Sequence, residues 1–172
     1  MLHTTLRLMK EEGRCEVEYH QMLHSLGGVE VYGDDTPLPI GKILDVCGLE
    51  TTLWALRIVI EPAEKQIRLL ACEFIRHVHH LFEEMNNGYI KGYLAGLAAG
   101  KESGYDAAEI AWQTCEAAAA KAVHDAARDS GEYDKMEAGR GAAKAAAAAR
   151  KAEKSWQSEQ LYKLLRLEGG GY

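Results

Sequence analysis

Hydrophobic residues recur every three or four positions along most of this chain, and few segments alternate with a period of two. This spacing predicts helices, because side chains three and four positions apart share one face of an α-helix. The clearest stripe follows Pro62 and consists of Ile67, Leu70, Ala71, Phe74, Val78, Leu81 and Met85. It predicts a long core helix that ends at Asn86-Asn87-Gly88.

The first sixty residues predict shorter elements. Two helices are expected before residue 27, the first ending near Gly13 and the second over 15–26. A loop follows, with a brief extended piece at Val29–Tyr32, and a further helix is expected over 49–60. The inward positions of the first two helices are predicted to be Leu2, Leu6, Met9, Val17, Met22 and Leu26.

The composition changes near residue 95, since 22 of the 25 alanines lie at or after that position. Asp106 with Glu109, and Asp134 with Glu137, have the spacing of a capping box at a helix start. They predict two long helices over about 106–129 and 134–167. The short "DSGEY" turn between these helices predicts an antiparallel hairpin.

Small side chains at alternating steps of four and three predict a close-packed seam within this hairpin. The first helix is expected to contribute Ala108, Ala111, Trp112, Cys115, Ala119, Ala122 and Ala126, and the second Ala138, Ala142, Ala145, Ala149, Ala152 and Trp156. The sequence therefore predicts an all-α fold. We expect one domain over residues 1–172, with about six or seven helices, a long alanine-rich C-terminal hairpin and a frayed tail at 168–172.

The composition is that of a soluble globular protein, with 47% hydrophobic and 27% charged residues among 172. No run reaches the length of about 20 apolar residues that a membrane span requires. The N-terminus has no secretory pattern, so a cytoplasmic protein without membrane contact is predicted. The four cysteines are far apart and form no CxxC pair, which favours reduced thiols over a metal site.

Charge is unevenly distributed along the chain, whose net charge is −6. Residues 1–139 carry a net charge of −10, whereas residues 140–172 carry +4. Nucleic-acid binding requires a basic footprint to displace counterions from phosphates. The acidic body therefore argues against direct nucleic-acid binding.

Several segments, in order, resemble one known family. They are "KEEGRCEVEYHQML", "LETTLWALRIV", "EKQIRLLACEFIRHVHHLFEE", "YLAGLAAGK" and "AEKSWQSEQLYKLL". Together they resemble the immunity proteins of bacterial polymorphic toxin systems, an all-helical family, over about residues 5–166. The chain departs from the family pattern at Phe74, Ile75 and His77, so the "HVHH" run is particular to this sequence.

The resemblance implies a non-enzymatic cytoplasmic inhibitor that neutralises a toxin effector by binding it. It supplies no catalytic residues and no cofactor. An alternative is an inhibitor that a phage or mobile element encodes against a bacterial defence complex, as anti-CRISPR proteins are. Both interpretations imply a protein partner, and a homodimer is compatible with either.

A different class of function is suggested by Glu73, His77, His80 and Glu84, whose spacing of four, three and four places them on one stripe of the core helix. Histidine and carboxylate are metal ligands, and di-iron bundles use Glu-x-x-His motifs on two helices. A second matching motif is missing from this sequence. The stripe is therefore predicted to be a solvated helix flank, with a metal-binding bundle as the alternative.

Acidic and aromatic residues in two loops are the predicted partner contacts. Such groups suit an inhibitor of a basic enzyme, because complementary charge speeds association. Turn chemistry is the alternative explanation of the same residues. The partner-binding candidates are Tyr32, Asp34, Asp35, Glu132, Tyr133 and Asp134 in the two loops, together with His80, Glu83 and Glu84 on the flank of the core helix.

Overall fold

The computed structural model describes residues 1–13, 16–85, 104–129 and 134–167, without the side chains of 82–85, 104 and 167. Eight α-helices occupy most of these residues, which confirms the predicted all-α fold. The helices are α1 (Leu6–Glu11), α2 (Glu16–Ser25), α3 (Val29–Tyr32), α4 (Ile40–Cys47), α5 (Leu49–Ala55), α6 (Glu64–Met85), α7 (Gly104–Asp129) and α8 (Lys135–Leu167). A 3₁₀-helix at Leu56–Ile58 continues α5. The expected stop at Asn86-Asn87-Gly88, residues 130–133 of the "DSGEY" turn and the tail at 168–172 lie outside the described residues.

Two short strands hold the N-terminus against the segment that precedes α4. β1 (His3–Thr4) pairs antiparallel with β2 (Leu38–Pro39), so that His3 lies opposite Pro39. The buried Thr4 hydroxyl donates a hydrogen bond to the Ile58 carbonyl over 2.8 Å. The periodicity of the sequence missed both strands, because two residues are too few to show an alternating pattern.

The predicted extended piece at Val29–Tyr32 is wrong, since these residues form the single helical turn α3. Gly28 and Gly33 lie on either side of it with φ of 93° and 91°, values that favour glycine. The Gly33 amide donates to the Val29 carbonyl over 2.8 Å and closes the turn. Two flanking glycines thus override the strand preference of the valines and tyrosine between them.

The inward face of α2 also differs from the prediction. Met22 is buried as predicted, but Val17 is 67% exposed. Tyr19, three positions before Met22 on the same face, is buried in its place.

The chain forms two compact units, one of Met1–Leu70 with Ser158–Tyr172 and one of Ala71–Gln157. We call them unit 1 and unit 2. Large aliphatic side chains fill the core of unit 1, as interior packing requires. Those exposed by 2% or less include Leu2, Leu6, Met9, Met22, Leu38, Ile40, Ile43, Leu53 and Leu56.

The described residues of unit 2 are those of α6 from Ala71 onward, α7, and Asp134 with α8 as far as Gln157. Arg150 of α8 donates to Glu116 of α7 over 3.2 Å, and Gln157 donates to the Ala108 carbonyl over 3.2 Å. Residue numbers rise along α7 as they fall along α8, so the predicted antiparallel arrangement is confirmed. Close approach depends on Gly141, where an added Cβ would lie 3.1 Å from Val123 Cγ1.

Most of the predicted hydrophobic stripe of α6 is buried, although Ile67 is only half-buried and the side chain of Met85 lies outside the described residues. Leu70, Ala71, Phe74 and Val78 are each exposed by 5% or less, and Leu81 is half-buried. Ile75 is also fully buried, which widens the stripe by one residue. An apolar face of this width is typical of a helix that packs against more than one neighbour.

The two predicted helix starts have different outcomes. Asp134 caps α8, since its Oδ1 accepts hydrogen bonds from the amides of Met136 at 2.7 Å and Glu137 at 3.1 Å. Asp106 lies inside the first turn of α7, because that helix already begins at Gly104. A carboxylate in the first turn still faces the positive end of the helix dipole.

Within the described ranges, no helix combines the length and the apolar character that crossing a bilayer would require.

Candidate functional site

The histidine and glutamate stripe of α6 does not form a single cluster among the described side chains. The Glu73 carboxylate pairs with Arg76 at 2.5 Å, one turn along the exposed face. His77 is directed to α8, where its Nδ1 lies 2.8 Å from Oε2 of Glu153. His80 is exposed, and the side chain of Glu84 lies outside the described residues. The stripe predicted from spacing is therefore divided between two environments.

Glu153 is a buried carboxylate that the sequence analysis did not single out. Its side chain is 1% exposed, although it lies on a helix with many basic residues. Oε1 accepts a hydrogen bond from Gln157 Nε2 over 3.0 Å, and this amide also donates to the Ala108 carbonyl. His77, Glu153 and Gln157 thus form a connected polar network inside unit 2.

Aromatic rings fix the position of His77. Its imidazole stacks on the Trp156 indole with ring centroids 3.7 Å apart and an angle of 6° between the planes. Phe74 meets the same indole edge-on at 6.1 Å. Because the ring is stacked on one side and hydrogen-bonded at Nδ1, His77 is held in a defined orientation while its side chain remains 41% exposed.

An open groove of about 720 Å³ lies beside this network, within the size range of ligand-binding sites. We call it the α7/α8 groove. Its walls are mainly apolar and its polar groups are few. The lining residues are His77, Val78, His80, Leu81, Cys115, Ala118, Ala119, Ala122, Ala149, Ala152, Glu153 and Trp156.

The groove occupies part of the seam that was predicted to be closed. Ala108, Ala111 and Trp112 of α7 are buried as expected, and so are Ala138 and Ala142 of α8. Three alanines that were predicted to point inward are instead exposed, namely Ala122, Ala126 and Ala152. Alanine side chains end at Cβ and cannot fill the space that leucine or isoleucine would occupy, so the predicted packing is wrong over this stretch.

Cys115 lies in the groove but is not poised as a nucleophile. Burial, together with the nearby carboxylates of Glu153 and Glu116, raises the pKa of the Cys115 thiol to about 11. Its Sγ lies 3.9 Å from Glu153 Oε2. Since the thiolate is the reactive form of cysteine, a thiol beside carboxylates is suited to packing and not to covalent catalysis.

A metal site was the alternative interpretation of the α6 stripe. In the part of the chain that the structure describes, no three histidine, cysteine, aspartate or glutamate side chains are placed to hold a metal ion together. Glu73 and His77 have separate partners, as given above. The described geometry therefore does not support the metal alternative.

The loop candidates in unit 1 make intramolecular contacts. Asp35 pairs with Arg7 at 2.7 Å, and the Asp34 carbonyl accepts from the Arg7 amide over 3.0 Å. The Tyr32 hydroxyl donates to the Pro37 carbonyl over 2.9 Å. These contacts hold the loop against α1.

The remaining predicted contacts are only partly visible. Asp134 is exposed and serves as the cap of α8. Glu132 and Tyr133 lie outside the described residues, as do the side chains of Glu83 and Glu84. Among the predicted contacts whose side chains are described, His80 is the one that lines the α7/α8 groove.

A signal for Glu153 was present in the sequence. Glu153, Gln157, Leu161 and Leu165 follow one another at steps of four, and all four are buried. The predicted stripe ran one position earlier, through Ala152 and Trp156. Extending the four-residue spacing of Leu165 and Leu161 towards the N-terminus of α8 reaches Glu153 and would have predicted that it is buried.

No protein-family model matches this chain, and no curated protein or solved structure is significantly similar to it. The resemblance to immunity proteins therefore stays a prediction. Any function has to be inferred from the groove and from the sequence itself.

Proposed function

We propose that this protein is a non-enzymatic inhibitor that binds another protein through the α7/α8 groove, and that its partner is a toxin effector. The observation that carries the proposal is the groove itself, which is open, mainly apolar and bordered by the ordered His77–Trp156 ring pair. Grooves of this kind accept a helix or loop of a partner.

Binding is favoured over catalysis by the state of the groups in the groove. The raised pKa of Cys115 keeps its thiol protonated near neutral pH. His77 is hydrogen-bonded at Nδ1 to a carboxylate, as a catalytic histidine often is, but the nearby thiol is not activated. These residues have the chemistry of a recognition surface.

The composition of the groove suits a protein partner. Aromatic residues are enriched at the centre of protein interfaces, and tryptophan is among the residues that contribute most to binding energy there. Trp156 supplies such an amphipathic ring, and the alanines that line the groove allow the partner backbone to approach closely.

A toxin is favoured as the partner class by two features of the sequence. Several segments, taken in their order along the sequence, resemble those of toxin-immunity proteins. The net charge of −6 complements a basic enzyme. His77 and His80 line the groove and belong to the "HVHH" run, which is particular to this sequence. A role of these two histidines in choosing the partner would explain why this run departs from the family pattern.

Coexpression with candidate toxins tests the proposal. Each toxin encoded beside this gene is induced in a sensitive bacterial host with and without the protein, and the purified pair is then titrated by calorimetry. We expect restored growth and a stoichiometric complex with one toxin. Absence of both growth rescue and binding for all neighbouring toxins would contradict the proposed function.

A further inference from the structure

We infer that the α7/α8 groove recognises a lysine or arginine side chain of the partner, whose charge pairs with Glu153. This inference rests on the proposed function and deepens it, because it specifies the chemistry of the partner segment. The occupant to which we commit is a basic side chain flanked by apolar residues. Three features of the described residues lead to it.

The first feature is the charge of Glu153. Within the described part of the chain, its one ion pair is with His77, which is cationic only when protonated. A carboxylate that is 1% exposed is costly unless it is paired and hydrogen-bonded. An incoming ammonium or guanidinium would supply a permanent positive charge, whereas an acidic segment would be repelled.

The second feature is the unused hydrogen-bonding capacity of this carboxylate. Two carboxylate oxygens offer about four acceptor positions. His77 lies at hydrogen-bonding distance from Oε2 and Gln157 donates to Oε1, while the Cys115 thiol is a weak donor 3.9 Å away. Charge-assisted bonds from a cation are about twice as strong as neutral ones, so this is the group that gains most here.

The third feature is the wall of the groove. Lysine and arginine have aliphatic stems that pack on apolar surface while the charged head reaches a polar group. Ala119, Ala149 and Ala152 provide such a surface beside Glu153. The basic residues Arg150 and Lys154 of this chain lie over the Trp112 ring, at 5.2 and 4.5 Å, and so do not occupy that position.

Side-chain analogues test the inference without knowledge of the partner. Protein labelled with ¹³C in its alanine methyl groups is titrated with n-butylguanidinium, n-butylammonium and, as the neutral control, n-butanol. We expect saturable shifts of the Ala119, Ala149 and Ala152 methyls, with a cation affinity roughly ten times that of butanol. Equal affinity for butanol and both cations, or no saturable shift with any probe, overturns the inference.

Two variants identify the groups responsible. Glu153→Gln preserves the shape of the side chain, and we expect it to remove the preference for cations while butanol binding persists. Ala152→Leu narrows the groove and should abolish binding of all three probes, whereas Ala147→Leu, an exposed position outside the groove on the same helix, should not. A cation preference retained in Glu153→Gln places the site elsewhere and refutes the assignment.

Two further measurements separate this inference from its alternatives. If sedimentation equilibrium shows a dimer that Ala152→Leu dissociates and Ala147→Leu does not, a second copy occupies the groove and the inference is wrong. Growth rescue distinguishes failure of this inference from failure of the proposed function. A Glu153→Gln protein that still neutralises its toxin with unchanged affinity refutes the role of Glu153 and leaves the inhibitor function standing.

Discussion

The cores of units 1 and 2 are built from different kinds of side chain. In unit 1 the core is made of leucine, isoleucine and methionine residues, many of them fully buried. In unit 2 many buried positions are alanines, although Phe74, Ile75 and Trp112 are large buried side chains, and the polar pair Glu153 and Gln157 is also buried. Large side chains close a core, whereas alanines permit close backbone approach in one place and leave a groove in another.

Both units bury polar groups, and in both of them some polar atoms lack a partner. In unit 1 the buried Thr4 hydroxyl is matched to a carbonyl. Among the described residues, Asp34 Oδ1 of unit 1 and Trp112 Nε1 and Gln157 Oε1 of unit 2 are buried without a hydrogen-bond partner. Such unsatisfied atoms lower stability, so both units hold features that packing alone would not select.

The core of unit 1 should show the largest effect of a single substitution. Leu53→Ala removes a fully buried side chain, and we expect it to lower the free energy of unfolding by about 2–5 kcal/mol. Leu69→Ala is the control, because Leu69 is 57% exposed and should change stability by about 0.5 kcal/mol or less. Urea denaturation measures both, and equal losses would show that Leu53 lies outside a packed core.

The polar network of unit 2 should show an intermediate effect. His77→Ala leaves the buried Glu153 carboxylate without its ring partner, at an expected cost of about 1–3 kcal/mol. The double variant His77→Ala/Glu153→Leu should be more stable than His77→Ala alone, because the unpaired charge is gone. A double variant whose loss equals the sum of the two single losses would mean that the two residues are not coupled.

The cap of α8 should have a smaller effect. Asp134→Ala removes the acceptor for two amides in the first turn, and we expect a loss of about 1 kcal/mol. Asp134→Asn keeps an acceptor oxygen and should remain close to wild type. Thermal unfolding followed by circular dichroism compares the two variants. An equally large loss of stability in both would mean that Asp134 stabilises α8 through its negative charge and not through its capping hydrogen bonds.

The smallest effect is expected from Glu61 of unit 1, whose contribution to stability is present at neutral pH and is lost in acid. Burial opposes ionisation of Glu61, but hydrogen bonds from the His3 amide at 2.7 Å and from the His3 ring outweigh it and lower the pKa of this carboxyl. A lowered folded-state pKa adds stability above the unfolded-state pKa of about 4.3, and this contribution is lost as the pH falls through the folded-state value.

Glu61→Gln tests that assignment. The variant should be less stable than wild type at pH 7, and the difference should shrink as the pH falls below about 4. Urea midpoints at pH 7, 5 and 3.5 measure it. A stability difference that does not change with pH would mean that the charge of Glu61 contributes nothing.

The sequence predicted the helices better than it predicted the groove. A long apolar period gives a strong signal, so the buried face of α6 was correct from Leu70 to Val78. Short elements such as β1, β2 and α3 carry too few residues for a period, and two glycines decide α3.

The groove was missed for a different reason. Alanine is compatible with buried and exposed positions alike, so an alanine-rich helix does not reveal which face is inward. The predicted stripe therefore ran through Ala152 and Trp156, one residue away from Glu153. The histidines were noticed as a metal candidate, but their long-range partner in α8 could not be read from spacing within α6.

The most direct test of whether the protein acts by binding through the α7/α8 groove is the growth of cells that express the toxin against which it protects. Two variants of α7 are compared with wild type: Ala122→Leu, which narrows the groove, and Ala117→Leu, an exposed position outside it. With equal amounts of folded protein, we predict that Ala122→Leu loses protection while Ala117→Leu keeps it. Equal protection by both variants would contradict the claim that the partner binds in this groove.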